Sequence, residues 1–171
     1  MKIRKAVISD AKGIAKVHVD RWKTTYEKIL PASYLNGLSY EQREKIWLDN
    51  METDMVFVAE NRDGEIVGFS TGGPERSGNY PNHSGELYAI YILEEYQRQG
   101  LGKALIRPIV QQLQQENIDG MAVLVLEDNG SRFFYETLGA KEIDGITVKI
   151  AGTILNELVY AWDDVRHIPA E

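Results

Sequence analysis

Apolar residues recur along this chain with two periods, and the changes from one to the other mark the elements. Lys2–Ile8 reads as a short first strand, and Ser9 and Asp10 follow with side-chain oxygens able to cap a helix. Ile14, Val17 and Trp22 fall on one face of that helix. Pro31 and Gly37 punctuate the next stretch, and Tyr40–Asn50 reads as a second helix carrying Ile46 and Trp47. Met55–Glu60 and Glu65–Ser70 are rich in Val, Ile and Phe, and Asn61-Arg62-Asp63-Gly64 between them is a hairpin signal. The Gly- and Pro-containing stretch from Gly72 to Gly85 reads as a loop.

Glu86–Leu93 is β-branched and aromatic, as a central strand would be. Leu101, Leu105, Ile109 and Leu113 repeat every fourth residue and predict a helix over Leu101–Gln115, with Gln and Glu between them. Pro108 lies inside that helix and predicts a kink, not a division into two. Met121–Leu126 is continuously apolar, which suits a strand buried on both faces. A short helix over Gly130–Leu138 ends at Gly139, and Lys141–Ile150 and Ile154–Trp162 complete the strands. The order β-α-α-β-β-β-α-β-α-β-β predicts an α/β chain (α+β, with a mixed sheet) built around a strand–loop–helix–strand unit, and a single domain over residues 1–171.

Composition narrows the classes. With no cysteine among 171 residues, disulfides, thiolate-bound metals, iron–sulfur clusters and a thiolate nucleophile are excluded. No run of about 18 apolar residues predicts a membrane span, and the residues from Met1 to Asp10 do not read as a signal peptide, so a cytoplasmic protein with no membrane partner is expected. A net charge of −7 argues against a nucleic-acid partner. It leaves room for a local anion site.

Such a site is readable at Gln97-Arg98-Gln99-Gly100-Leu101-Gly102, between the Glu86–Leu93 strand and the best helix. Two glycines allow close backbone approach and positive φ. The first-turn N–H groups of the helix point outward, where the helix dipole favours negative charge, so a phosphate or pyrophosphate is the expected guest. Arg98 and Lys103 add cations at the same place. A glycine-softened turn is the alternative reading. Neither a Walker A loop nor a Gly-x-Gly-x-x-Gly dinucleotide fingerprint is present.

Together with two further blocks, this loop resembles the Gcn5-related N-acetyltransferase (GNAT) superfamily, in a bacterial-type form. Glu86–Leu93 is similar to the family's fourth strand, Gln97–Gly102 to its Gln/Arg-x-x-Gly-x-Gly/Ala pyrophosphate loop, and Asn129–Gly139 to its second signature, an Asn opening a helix with Phe-Tyr and Leu-Gly. The resemblance implies an acyl-CoA N-acyltransferase fold of about seven strands with flanking helices and splayed central strands. It implies an acetyltransferase with acetyl-CoA as co-substrate and a small-molecule or peptide amine as acceptor. It places Arg98, Gln99, Gly100, Leu101, Gly102 and Lys103 on the pyrophosphate, and Ile90, Tyr91 and Ile92 along the pantetheine arm as an added pseudo-strand. Asn129 would bond the pantetheine arm or the cofactor's far end, and Tyr135 would be the general acid near the sulfur.

The chemistry asks for the same parts. An alkylammonium with a pKa near 10.4 must lose a proton before it attacks a thioester. The developing oxyanion needs a fixed N–H, for which the backbone of Ile92 is the candidate. A leaving thiolate needs a proton, which a tyrosine holds at neutral pH. The base is open among Glu86, at the start of the fourth strand, Tyr88 on the same strand face by alternation, Glu127 at the end of the fifth strand, and a water relay.

Each assignment has a plainer reading. Tyr135 reads also as a core aromatic, though the Asn129 context favours the acid; Asn129 reads as an N-cap, a role compatible with the other, and Glu86 as a solvated strand-end charge before a base. Tyr26, in Trp22-Lys-Thr-Thr-Tyr26, is either an acceptor-pocket residue or helix packing, and Tyr88 shares the acceptor assignment. Trp22 reads as core, and Trp47 and Trp162 as core or interface. His18, His83 and His167 share no ligand spacing, so no metal is expected. Asp163-Asp164 and the tail to Glu171 read as an exposed terminus. Two other functions stay in view: a non-catalytic acetyl-CoA sensor or scaffold, and a phosphate-binding protein unrelated to CoA. The acceptor stays open among a polyamine, an antibiotic amine, an amino acid and a protein α-amine, with the net charge of −7 mildly suiting a cation. A homodimer is also left open by the resemblance.

Overall fold

The computed structural model describes residues 1–169. Seven strands form one sheet: β1 (Lys2–Lys5), β2 (Met55–Glu60), β3 (Ile66–Pro74), β4 (Gly85–Ile92), β5 (Met121–Leu126), β6 (Lys141–Ile150) and β7 (Thr153–Trp162). Their order across the sheet is β1-β2-β3-β4-β5-β7-β6. Every neighbouring pair is antiparallel except β4 and β5, which are parallel. The helices are α1 (Ala11–Thr25), α2 (Ala32–Asn36), α3 (Tyr40–Thr53), α4 (Leu101–Gln115) and α5 (Ser131–Thr137).

Period-two alternation sorts the helices onto two faces. Val56 and Val58 of β2, with Phe69 of β3, meet Ile14 and Val17 of α1 and Trp47 of α3. Met55 of β2 and Leu87 of β4 meet Ile106, Ile109 and Leu113 of α4 on the opposite face, where Tyr135 of α5 also packs. α4 runs as one helix through Pro108. Its buried row Leu101, Leu105, Ile109 and Leu113 explains why. Four such side chains contribute about 1.5–3 kcal/mol each, against roughly 3 kcal/mol for an interior proline.

Several boundaries differ from the sequence expectation. β1 stops at Lys5, and Ile8–Asp10 form a 3-10 turn. The side chain of Asp10 accepts the backbone N–H of Val7 and pairs with Arg4, which draws the chain out of the sheet. Between Pro31 and Gly37 a short helix, α2, buries Leu35. β3 continues through Gly72, Gly73 and Pro74, which pair with Leu87, Glu86 and Gly85, so the loop shrinks to residues 75–84. At Gly72 a Cβ would sit 2.8 Å from the Glu86 carbonyl and 3.0 Å from Ile109 Cγ2. Gly72, one of the glycines that suggested a loop, is therefore what lets β3 pass under α4.

One irregularity positions everything that follows. Thr71 stands opposite Ala89, and Gly72 opposite Leu87, so Tyr88 is an extra residue in β4. This β-bulge kinks the strand. Before it, Gly85–Leu87 pair with Met121–Val123 of β5; beyond it, β4 holds only to β3 while β5 holds only to β7. The central strands splay as expected.

Candidate active site

The splay leaves unpaired backbone inside the sheet. The N–H of Leu93 donates to Val67 O at 2.9 Å, so the odd-numbered residues at this end of β4 face β3. In an antiparallel ladder a residue's N–H and C=O point the same way and alternate along the strand. The polar groups of Ile90 and Ile92 therefore face the gap. One of them, Ile92 O, accepts the side-chain amide of Gln97 at 3.0 Å. The gap opens into a cleft of about 690 Å3 lined by Ile90, Tyr91, Ile92, Asn129, Tyr135 and the start of α4.

That start of α4 is made for close approach. Arg98 and Gly100 take positive φ values of 58° and 81°. No side chain caps the helix, so the N–H groups of Leu101 and Gly102 have no carbonyl within it. The second glycine does not take the positive φ that its pattern allows. Gly102 is helical, and a Cβ there would lie 2.7 Å from Phe134 Cζ, so it lets α5 pack onto α4. Arg98, Gly100, Leu101, Gly102 and Lys103 all line the cleft. Gln99 does not; its side chain donates to Glu95 O at 3.0 Å.

Four residues from three separate parts of the sequence meet at the gap. Tyr26 at the end of α1 shares a hydrogen bond with the Tyr91 hydroxyl at 3.1 Å and receives one from Asn129 Nδ2 at 3.4 Å. Asn129 Oδ1 meanwhile accepts the N–H of Ser131 at 2.9 Å, so one side chain caps α5 and ties it to α1. Tyr135 is 5% exposed, edge-on to Trp162, and lines the cleft. Its hydroxyl has no hydrogen-bond partner among the described residues. Burial, with Tyr26 adding, pushes its phenol well above the usual value, so it is a proton donor at neutral pH.

The residues on the α1 face sort differently from the sequence expectation. Glu86 is no solvated strand end: it is 3% exposed. One carboxylate oxygen accepts the Arg76 backbone N–H at 3.0 Å and the other its guanidinium at 2.7 Å. The Arg76 guanidinium also lies 4.0 Å over the ring of Tyr88, whose hydroxyl donates to Pro74 O at 2.6 Å. Burial pushes the Tyr88 phenol up to about 12. Glu127 accepts from Asn156 on the surface at 3.1 Å. Neither Glu86 nor Tyr88 lines the cleft, and Tyr26 reaches it only through Tyr91 and Asn129.

Sequence reasoning missed two residues here. Arg76, in the loop, neutralises Glu86. Glu157 of β7 is half-buried, and burial, with the charge of Glu86 adding, holds its carboxyl above the usual range. A signal for it existed: Glu157 shares a strand face with Leu155 and Val159, and a charge on an inward face is costly.

The histidines stand apart from one another. His18 Nδ1 accepts the Trp47 indole N–H at 3.0 Å, and burial depresses its pKa to about 3. His83 meets Asp163 at 2.8 Å. Asp164 caps the turn Val165–His167 and pairs with Arg166, while Ala170 and Glu171 lie outside the described residues. Among the described residues no three His, Asp or Glu side chains converge as metal ligands would. No helix among them is long and apolar enough to cross a membrane.

Comparison with known proteins agrees with this architecture. The chain is 42% identical over 163 residues to an uncharacterized N-acetyltransferase, YuaI, of Bacillus subtilis, covering 95% of this chain and 93% of that one. The fold is similar to that of the PaiA N-acetyltransferase of Thermoplasma acidophilum solved with coenzyme A (TM-score 0.72, 22% identity, 91% and 96% of the two chains). It is similar also to YncA of Salmonella typhimurium, a putative acetyltransferase solved with acetyl-CoA (TM-score 0.70, 17% identity, 95% and 92%). Residues 19–140 match the model of the acetyltransferase (GNAT) family, and with 122 of 171 positions inside that match the chain belongs to this family.

Proposed function

We propose that this protein transfers the acetyl group of acetyl-CoA to a primary amine by direct attack on the thioester, within one N-acetyltransferase domain spanning residues 1–171. The observation that carries the reading is the gap between β4 and β5, which exposes backbone polar groups beside an uncapped helix N-terminus and the unbonded hydroxyl of Tyr135. Acetyl-CoA, the co-substrate, supplies an activated acyl group on a polyanionic handle.

The residues present fit that handle. The N–H groups of Leu101 and Gly102 answer the negative diphosphate, with the cation of Arg98 beside them. Ile90 and Ile92 extend their backbone to the amide groups of the pantetheine arm, as a neighbouring strand would. The Ile92 N–H meets the oxygen that becomes negative during attack. Tyr135 gives its proton to the leaving sulfur, and the attacking nitrogen, which must shed a proton, restores it. Asn129 and Tyr91 hold the acyl end in place.

Thiol release from acetyl-CoA across a panel of amines tests the reading. Turnover with at least one amine is expected, together with a thermal shift on adding CoA. CoA binding without turnover on any amine would point to a sensor or scaffold, and the lack of any CoA-induced shift would remove acetyl-CoA altogether.

A further inference from the structure

Beyond the cofactor cleft, the α1 face of the sheet holds a carboxylate to which the reading above gives no role. Along β7, Leu158, Tyr160 and Trp162 pack with Tyr135 on the α4 and α5 face. Leu155 packs with Tyr26 and Leu126 on the other face, and alternation puts Glu157 on that side too. Glu157 stands opposite Leu126, past Val123, where β5 has already parted from β4. It therefore sits one strand from the gap, on the side away from the diphosphate loop.

Its charge is unanswered. No described residue hydrogen-bonds or ion-pairs with the Glu157 carboxylate. The charges that reach it are those of Glu86 of β4 and Arg76 of the loop, and its own charge raises the phenols of Tyr26, at the end of α1, and Tyr80, in the loop. The guanidinium among them, Arg76, is already matched by Glu86. Tyr80 is bonded to Asp144 at 2.8 Å. A half-buried carboxylate without a cation is costly, and a cationic ligand relieves that cost. The ring of Tyr26, near enough to feel the charge of Glu157 and packed with Leu126 and Leu155, suits an alkyl chain.

Resting on the acetyltransferase reading, we propose that Glu157 holds the acceptor's ammonium and takes the proton it loses, and that the acceptor is an aliphatic amine with no carboxylate beside the reacting nitrogen. A zwitterionic α-amino acid would bring a carboxylate whose natural partner, Arg76, is occupied. Protons balance. The ammonium passes one to Glu157, which releases it to water. Nitrogen then bonds the acetyl carbon as the carbon–sulfur bond breaks. Sulfur takes the Tyr135 proton, and the remaining surplus proton on nitrogen restores Tyr135.

Calorimetry on CoA-saturated protein tests this, with 1,4-diaminobutane, n-butylamine and glycine titrated into wild type and Glu157→Gln. The expected result is tighter binding of both amines than of glycine by wild type, and amine binding weakened about tenfold or more in Glu157→Gln, the scale of one hydrogen bond to a charged group. The variant's CoA affinity should stay within about twofold, which also shows that it is folded. In turnover, its KM for the amine rises and kcat falls, with the KM for acetyl-CoA unchanged. Equal amine binding by the two proteins overturns the proposal, as does wild-type preference for glycine or failure to bind either amine. Loss of CoA binding or turnover in wild type is a separate outcome. It sinks the acetyltransferase reading, while the amine difference still decides the role of Glu157.

Discussion

The gap between β4 and β5 opens to both faces of the sheet, and the two sides are built from different material. Toward α4 it is walled by backbone: Ile90, Ile92, the turn at Gly100 and the N-terminus of α4. Toward α1 the surroundings are side chains: Tyr91 on the cleft, Tyr26 bonded to it, and farther along that face the Glu86–Arg76 pair and Glu157. Backbone N–H groups are the same whatever the sequence and keep their charge distribution at any pH, so the first side suits a ligand that never changes. Side chains change residue by residue, so the second suits whatever acceptor a given chain uses. The family resemblance accordingly concentrates on one side and leaves the other unread.

Tyr135, between the two sides, gives the largest expected effect. Tyr135→Phe keeps the ring against Trp162 and removes the proton, so kcat should fall about 100-fold or more, at unchanged acetyl-CoA affinity. Unchanged turnover in a steady-state assay would return Tyr135 to a packing role.

Acid should weaken the side-chain-built face first. His18 stacks on Tyr91 at 5.5 Å, and its pKa is depressed to about 3 by burial, with Arg43 adding. Between about pH 6.5 and 3 the unfolded chain binds a proton there that the folded chain does not, so stability is intact above that window and declines as pH falls through it. The slope reaches about 1.4 kcal/mol per pH unit. Asp10, whose carboxyl is lowered mainly by Arg4, loses stability in the same direction but at lower pH. Urea denaturation of wild type and His18→Gln from pH 7 to 5 separates them: the variant should show the shallower decline.

On the backbone-built face, geometry alone should matter. A Cβ at Gly100 meets nothing within 4 Å, yet φ is +81°, so Gly100→Ala costs about 1–2 kcal/mol through the left-handed backbone and weakens acetyl-CoA by up to about tenfold. Gly130 also lines the cleft and also has open space, but its φ is −59°. Gly130→Ala should therefore change stability by less than about 0.5 kcal/mol and leave affinity alone. Calorimetric Kd values for the pair measure the cost of positive φ by itself.

Much of the fold was legible in the sequence, for reasons that differ by element. Leu101–Gln115 and Met121–Leu126 were readable to the residue, because an every-fourth apolar row and an unbroken apolar run leave little choice of boundary. The end of β3 was not, because Gly72-Gly73-Pro74 is loop-like by composition and becomes strand only through pairing with Gly85–Leu87 beneath Ile109. Within the site, Gly100 was readable from its loop. The packing of Gly102 was not, because its neighbour Phe134 comes from another helix. Glu86 was visible as a carboxylate on the right strand, but nothing local announces that Arg76 claims both of its oxygens.

By itself, the sequence determined the order of the strands and of every helix but the short α2, the anion-ready start of α4 and the presence of a protonated tyrosine, because periodicity, glycine and residue chemistry are local properties. Tertiary structure alone decided which charges are spent and which are free. Arg76 reaches Glu86 through a loop path, the bulge at Tyr88 stands where β4 parts from β5, and Glu157, on the face that Tyr26 shares, has no partner among the described residues. Charge pairing depends on distance in space, which local sequence pattern does not carry.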